Sequence, residues 1–253
     1  MRSVALAALL MFAAPCQAEA PTGYLPPGAL DPRAIAGEPP APGGPVEAAD
    51  RAYWRQRAAL AHTDRWRLAQ ADAEIEAPYA LQAFDCALSA RLAEADAPAL
   101  RRLFERTLLD AAALYEPLRD ATPRARPLSV DPDAPVCVRR RPELETAGAW
   151  PSGHAIAGQT WAMILAELAP DQAEAVLARG RAYGESRAVC GVHWRSDVEA
   201  GRKLGAALFA RLQSEPAFRA DMELARLELR MARAQGLTNP VCTAERRALA
   251  SGP

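Results

Sequence analysis

The chain has three histidines: His62, His154 and His193. Two of them stand beside groups suited to holding an anion. One ends the string Pro151-Ser152-Gly153-His154, and the other follows Ser186-Arg187, with Asp197 four residues further on. Imidazole changes charge near neutral pH, so chemistry is sought first in these two strings. Pro151-Ser152-Gly153-His154 opens an apolar segment through Ile156, Thr160, Met163 and Ile164. Ser152 suits a helix N-cap, and Gly153 leaves the backbone open to close approach. The free N–H groups and dipole of such a first turn make an anion site, and His154 would stand in it. A Pro-Ser-Gly helix start with an incidental histidine explains the string equally well.

His193 and Asp197 would share one face of a helix. The carboxylate could then accept from one ring nitrogen and leave the other with its lone pair outward, as a nucleophile or base requires. Arg187 adds a planar, permanently charged donor. A third group, Arg119, Arg124 and Arg126 before Pro127, could bind phosphate bidentately, although runs of basic residues commonly form only a solvated face. Together these residues make a full set for phosphoryl transfer through a histidine: an oriented nucleophile, a second histidine as acid, arginines and a helix N-terminus. Neither an acidic cluster nor a Gly-rich Walker loop is present to hold a metal and nucleotide. Guanidinium groups and backbone dipoles are expected to neutralise charge instead, with no metal or cofactor.

The elements that must position these residues read as helices. From residue 46 onward alanine is abundant and β-branched runs are rare. Thr63 or Asp64 can cap a helix carrying Trp66 and Ala69. Pro78 can start one through Leu81, Phe84, Cys86 and Leu88. After Asp96 and Pro98, Leu100, Leu103, Phe104, Leu108, Ala111 and Tyr115 recur at helical spacing. A proline-rich loop is expected over about 121–150. Helical pattern resumes at Ser152, restarts after Pro170, resumes near Gly191 and restarts at Pro216. The expectation is a single all-α helical bundle over 46–235, with a C-terminal tail at 236–253. Residues 21–45, rich in Pro and Gly, read as an arm lying on the domain or on a partner subunit, or as a disordered leader.

With 253 residues, half of them hydrophobic, the chain can bury one sizeable core. A net charge of −1 excludes the profile of a nucleic-acid binder. Residues 1–20 read as an export signal: Arg2, an apolar stretch too short to span a bilayer, and a small-x-small cleavage site at Ala18-Glu19-Ala20. A lipidated Cys16 is the weaker alternative. The longest later apolar run, 155–169, is interrupted by Gln159, Thr160 and Glu167, so no membrane span is expected. Four cysteines remain after the leader: Cys86, Cys137, Cys190 and Cys242. In an oxidising compartment they suggest two bridges, with three pairings open.

The order Arg119, Arg126-Pro127, then Pro151-Ser152-Gly153-His154, then Ser186-Arg187, His193 and Asp197 resembles the three-part signature of the phosphatidic-acid-phosphatase type 2 and vanadium haloperoxidase superfamily. The run from Ser186 to Val198 looks most like the bacterial class A non-specific acid phosphatases. One position departs: the family's first motif begins with lysine, where this chain has Arg119. Lys203 is the chain's only lysine, so arginine has replaced lysine almost throughout. Arg124 could share the role.

The resemblance implies an α-helical bundle and a metal-independent acid phosphatase acting broadly on small phosphomonoesters. It implies that His193 attacks phosphorus, that Asp197 orients it, and that His154 protonates the leaving group and then activates water. Arg119, Arg126, Ser152, Gly153 and Arg187 would hold the phosphate. It further implies inhibition by vanadate, and a homo-oligomer, often a dimer, that is periplasmic or secreted. A vanadium-dependent haloperoxidase using the same pocket is the alternative, with a lipid phosphate phosphatase a third. Cys137 and Cys190 each lie near a motif, so a bridge between them could pin the phosphate loop to the nucleophile segment, leaving Cys86 with Cys242 to hold the tail. Trp150 and Trp194 could be core or pocket mouth. His62 lies outside the motifs.

Overall fold

The computed structural model describes residues 21–251, so the export leader expected at 1–20 lies outside the described residues. Thirteen α-helices follow one another, with no strand among the described residues. In order they are α1 (Pro32–Ala36), α2 (Pro45–Gln56), α3 (Asp64–Ala71), α4 (Tyr79–Gln82), α5 (Asp85–Leu88), α6 (Pro98–Ala121), α7 (Pro127–Val130), α8 (Pro142–Thr146), α9 (Gly153–Leu168), α10 (Ala173–Val189), α11 (Arg195–Leu212), α12 (Pro216–Ala234) and α13 (Cys242–Ala250).

α9 is apolar around most of its circumference and is the buried axis of the bundle, as such a helix must be. α10 and α11 flank it at close range because small residues line both seams. A Cβ on Gly180 would lie 2.3 Å from the Ala162 Cβ, and one on Gly201 would lie 2.5 Å from the Ser152 carbonyl oxygen. α6 covers another side. Phe104 stacks on Trp161 at 4.7 Å, and the Trp161 indole donates to Thr107 Oγ1 at 3.1 Å. α12 packs on α6. There the Glu228 carboxylate accepts from the N–H groups of Ala99 (3.0 Å) and Leu100 (2.9 Å). It thus caps a helix whose own N-cap, Ala97, has no acceptor side chain.

Three stretches differ from the sequence expectation. Residues 78–88 do not form one helix: α4 and α5 are separate short turns, and Ser89 ends the second in the left-handed region at φ 52°. The loop of 121–150 contains α7 and α8, each begun by a proline at its first position, where the missing N–H has no intrahelical partner to lose. The N-terminal arm lies on its own chain and carries the short α1. Tyr24 is buried, with its hydroxyl donating to Asp221 (2.6 Å) and its N–H to Asp110 (2.9 Å). Gly23 is required there, because a Cβ would meet Asp110 Oδ1 at 2.1 Å.

Both disulfides have the expected pairing. Cys137–Cys190 joins the loop before α8 to the end of α10, and Cys86–Cys242 fastens α13 beside α5. His62 is exposed and lies against Trp66.

Candidate active site

The two motif histidines come together at helix ends. His193 lies in the turn between α10 and α11, two residues before α11 begins, and Asp197 is the third residue of α11. The expectation that both sit on one helical face is therefore corrected: the chain enters α11 between them. Asp197 Oδ2 accepts the Trp194 N–H at 2.7 Å and so caps the helix. The same oxygen lies 3.5 Å from His193 Nδ1, while Nδ1 has a closer acceptor, the Ala149 carbonyl, at 2.8 Å. The ring orientation expected from Asp197 alone is thus shared with a backbone oxygen. Nδ1 carries the proton between these acceptors, and the lone pair of Nε2 faces Arg126 Nη1 at 3.0 Å.

Arg126 is buried, and its guanidinium is fixed by three carbonyls. Nε donates to Ala147 (3.1 Å), Nη1 to Val192 (2.9 Å) and Nη2 to Gly148 (3.0 Å). Arg187 has the opposite character. It is 6 % exposed, and its Nε and Nη1 are buried without any hydrogen-bond partner. Burial pushes both guanidinium groups down to about 10, and the Arg126 charge opposes that of Arg187. A native interior seldom leaves such donors empty.

Arg119 stands in the last turn of α6, with Nε donating to Asp120 at 2.8 Å, and its charge acts on Arg126. Arg124 cannot share the lysine-like role. Its Nη1 is paired with Asp197 and donates to Ser196 Oγ (2.8 Å), and its Nη2 donates to Asp50 Oδ2 (2.7 Å). Its guanidinium is spent on the Asp50 and Asp197 carboxylates.

At the start of α9, Ser152 is the N-cap and is wholly buried, its hydroxyl accepting the Ala155 N–H at 3.4 Å. Its own N–H donates to the Asp197 carbonyl at 3.1 Å, which ties the beginnings of α9 and α11 together. Gly153 is needed for a reason the sequence did not suggest: a Cβ would meet the Tyr115 ring at 2.9 Å. His154 is half-buried, stacked 6.2 Å from Tyr183, with Nε2 donating to the Ala73 carbonyl at 3.1 Å. This leaves Nδ1 as the ring atom free to carry a second proton. Burial first, and then nearby arginine charge, hold both histidines well below the ordinary value of 6.5. For His193 the acting charges are Arg126, Arg187 and His154; for His154 they are Arg187 and Arg126. The four groups thus form one cluster.

Sequence reasoning missed the supports behind this cluster. Asp50 on α2 accepts from Ser196 as well as Arg124. Asp72 accepts from Ser186 Oγ at 2.5 Å and pairs with Arg179, which also reaches Glu245 on α13. Arg65 donates to Ser186 Oγ at 3.0 Å. These are isolated charged residues in ordinary helical stretches, and no local pattern marks them. Trp150 and Trp194, left open between core and pocket mouth, are both buried. Among the described residues no three His, Cys, Asp or Glu side chains gather as a metal site, and no helix is long and apolar enough to cross a membrane.

Comparison with known proteins agrees with this geometry. The PAP2 superfamily profile matches residues 106–214, which include every residue of the cluster. The chain is 39 % identical over 209 residues to an acid phosphatase of Zymomonas mobilis, covering 82 % of this chain and 79 % of that protein. It is 31 % identical over 201 residues to a non-specific acid phosphatase of Providencia stuartii (79 % and 81 % covered), and 32 % identical over 195 residues to one of Salmonella typhimurium (76 % and 78 % covered). A buried arginine with vacant donors beside two histidines, in a fold shared over most of its length with these enzymes, places the chain in the PAP2 superfamily, among the bacterial non-specific acid phosphatases.

Proposed function

We propose that the protein hydrolyses small phosphomonoesters by passing the phosphoryl group through His193, without a metal. The enzyme class is that of its relatives, a phosphoric monoester hydrolase. The observation that carries the mechanism is Arg187, a buried guanidinium with two donors that have no partner and with a charge that acts on both His193 and His154. A phosphate there would accept from Arg187, from Arg119 and from the first-turn N–H groups of Gly153 and His154. His193 Nε2 attacks phosphorus, and the ester oxygen leaves with a proton from His154 Nδ1. His154, now neutral, takes a proton from water. The resulting hydroxide attacks the phosphohistidine, releasing phosphate and restoring His193. Guanidinium charge rather than a metal ion balances the developing negative charge. Export to the periplasm or beyond is supported by the two disulfides, which persist in oxidising compartments.

The test is hydrolysis of an aryl phosphate in excess chelator, with alkaline quenching to trap phosphohistidine for 31P NMR. Wild-type enzyme is expected to turn over under chelation and to show the N–P resonance, and His193→Ala to show neither. Substantial turnover by His193→Ala, or activity only after a divalent ion is restored, rejects the mechanism.

A further inference from the structure

We propose that Arg124 is the positioning residue for His193, holding from behind both of the acceptors that face its Nδ1. The proposal rests on the reading of His193 as nucleophile. The Arg124 guanidinium pairs through Nη1 with Asp197, whose other oxygen lies 3.5 Å from Nδ1. The Arg124 backbone carbonyl accepts the Ala149 N–H at 2.9 Å, and the Ala149 carbonyl is the 2.8 Å acceptor of the Nδ1 proton. One residue therefore fixes a side-chain acceptor and a backbone acceptor of the same N–H.

Arg124 is itself immobilised. Nη2 is held by Asp50 Oδ2 at 2.7 Å, and Asp50 in turn takes both the N–H (3.0 Å) and the Oγ–H (2.5 Å) of Ser196 in the first turn of α11. The guanidinium carbon lies 5.7 Å from the Trp150 ring centre and 5.9 Å from that of Trp194, both buried indoles. With both terminal nitrogens engaged by carboxylates and Ser196, Arg124 has no role left in gripping phosphate. Its effect on the reaction passes through the angle and tautomer of the imidazole. Losing a partner that orients a reacting group from the outer layer commonly costs about 10–100-fold in activity.

The experiment compares Arg124→Gln and Asp50→Asn with wild type in steady state and by rapid quench. The expected result for Arg124→Gln is a kcat, and a rate of phosphohistidine formation, lower by about 10–100-fold, with KM and the inhibition constant of inorganic phosphate unchanged. Asp50→Asn keeps the shape of the support but weakens its charge, and is expected to lose about tenfold in the same rate. If Arg124→Gln is recovered unfolded, Asp50→Asn decides alone. A folded variant with wild-type kcat overturns the proposal. So does a raised KM with kcat intact, which would assign Arg124 to phosphate binding. Absence of phosphohistidine in wild type would overturn the nucleophile reading itself, an outcome distinct from normal phosphohistidine formation in the variants.

Discussion

Replacing Arg187 by methionine should make the protein more stable and inactive at once. Arg187 is 6 % exposed, and Nε and Nη1 have no partner. Burial lowers its guanidinium from the ordinary arginine value to about 10. At about 1.4 kcal/mol per factor of ten, keeping the charge there costs about 3 kcal/mol. The hydrogen-bond argument leads to the same range, since each buried unmade donor costs about 1–3 kcal/mol. Methionine fills much of the same volume without charge or donors. Exchanges of buried charge for apolar side chains of like size commonly gain about 1–4 kcal/mol. For a domain of this size that is a rise in Tm of about 2–16 °C in phosphate-free buffer. Saturating phosphate should close most of that gap. Ligand at a hundred times Kd stabilises wild type by about 2.7 kcal/mol, while the variant, lacking its main donor, should gain almost nothing. Calorimetry of both proteins with and without phosphate, beside an aryl phosphate assay, tests the argument. A variant that melts below wild type without phosphate, or that gains as much from phosphate as wild type does, refutes it.

Three further outcomes follow from the geometry. His154→Ala should cost about 10²–10⁴-fold in kcat for an alkyl phosphate, whose alkoxide needs a proton, and much less for an aryl phosphate with a stable phenolate; equal losses on both would remove His154 as the acid. Because burial and Arg187 hold His154 below 6.5 and its protonated form is the active one, kcat/KM should be highest in acid and fall as pH rises through that lowered value. Bound phosphate offsets Arg187, so the corresponding limb of kcat should lie at higher pH than that of kcat/KM, and coincident limbs would contradict this. Gly201→Ala should lower stability by about 1–3 kcal/mol and reduce kcat, since its methyl group would press on the Ser152 carbonyl 2.5 Å away and part the beginnings of α9 and α11. A urea titration showing an unchanged midpoint would count against it.

The helices, the histidine pair and the disulfide pairing were legible because each leaves a local mark: a 3.6-residue period, a rare residue beside capping groups, cysteines near motifs. What stayed hidden is non-local. Nothing near Asp50 points to Ser196, which is 146 residues away. Nothing near Ala149 shows that its carbonyl accepts the hydrogen bond from His193 Nδ1. The spacing of His193 and Asp197 suggested a shared helical face, but the same spacing serves equally for a residue before a helix and the residue that caps it. Arg119 and Arg124 looked alike in sequence. Only the carboxylates around them distinguish a half-buried cation near the cluster from one held between two carboxylates behind it.

The proposed chemistry sits on helix ends, and the packing of the fold explains why. α9 and α11 begin side by side because Gly201 lets them touch and because the Ser152 N–H donates to the Asp197 carbonyl. Two helix beginnings therefore meet near one place, those N–H groups of α11 held by Asp197 and Asp50, with the end of α10 bringing Arg187 to the same place. Such a convergence of positive ends repels itself and needs support from elsewhere. Asp50, Asp72 and Asp197 supply negative charge from behind, and the Cys137–Cys190 bridge closes the loop across the end of α10. Arg187 feels Asp72 and Glu74 only through their charge and keeps two buried donors without a partner. A site built this way is complete before its anion arrives, and the charge still unmatched is the one that a phosphoryl group in transfer would meet.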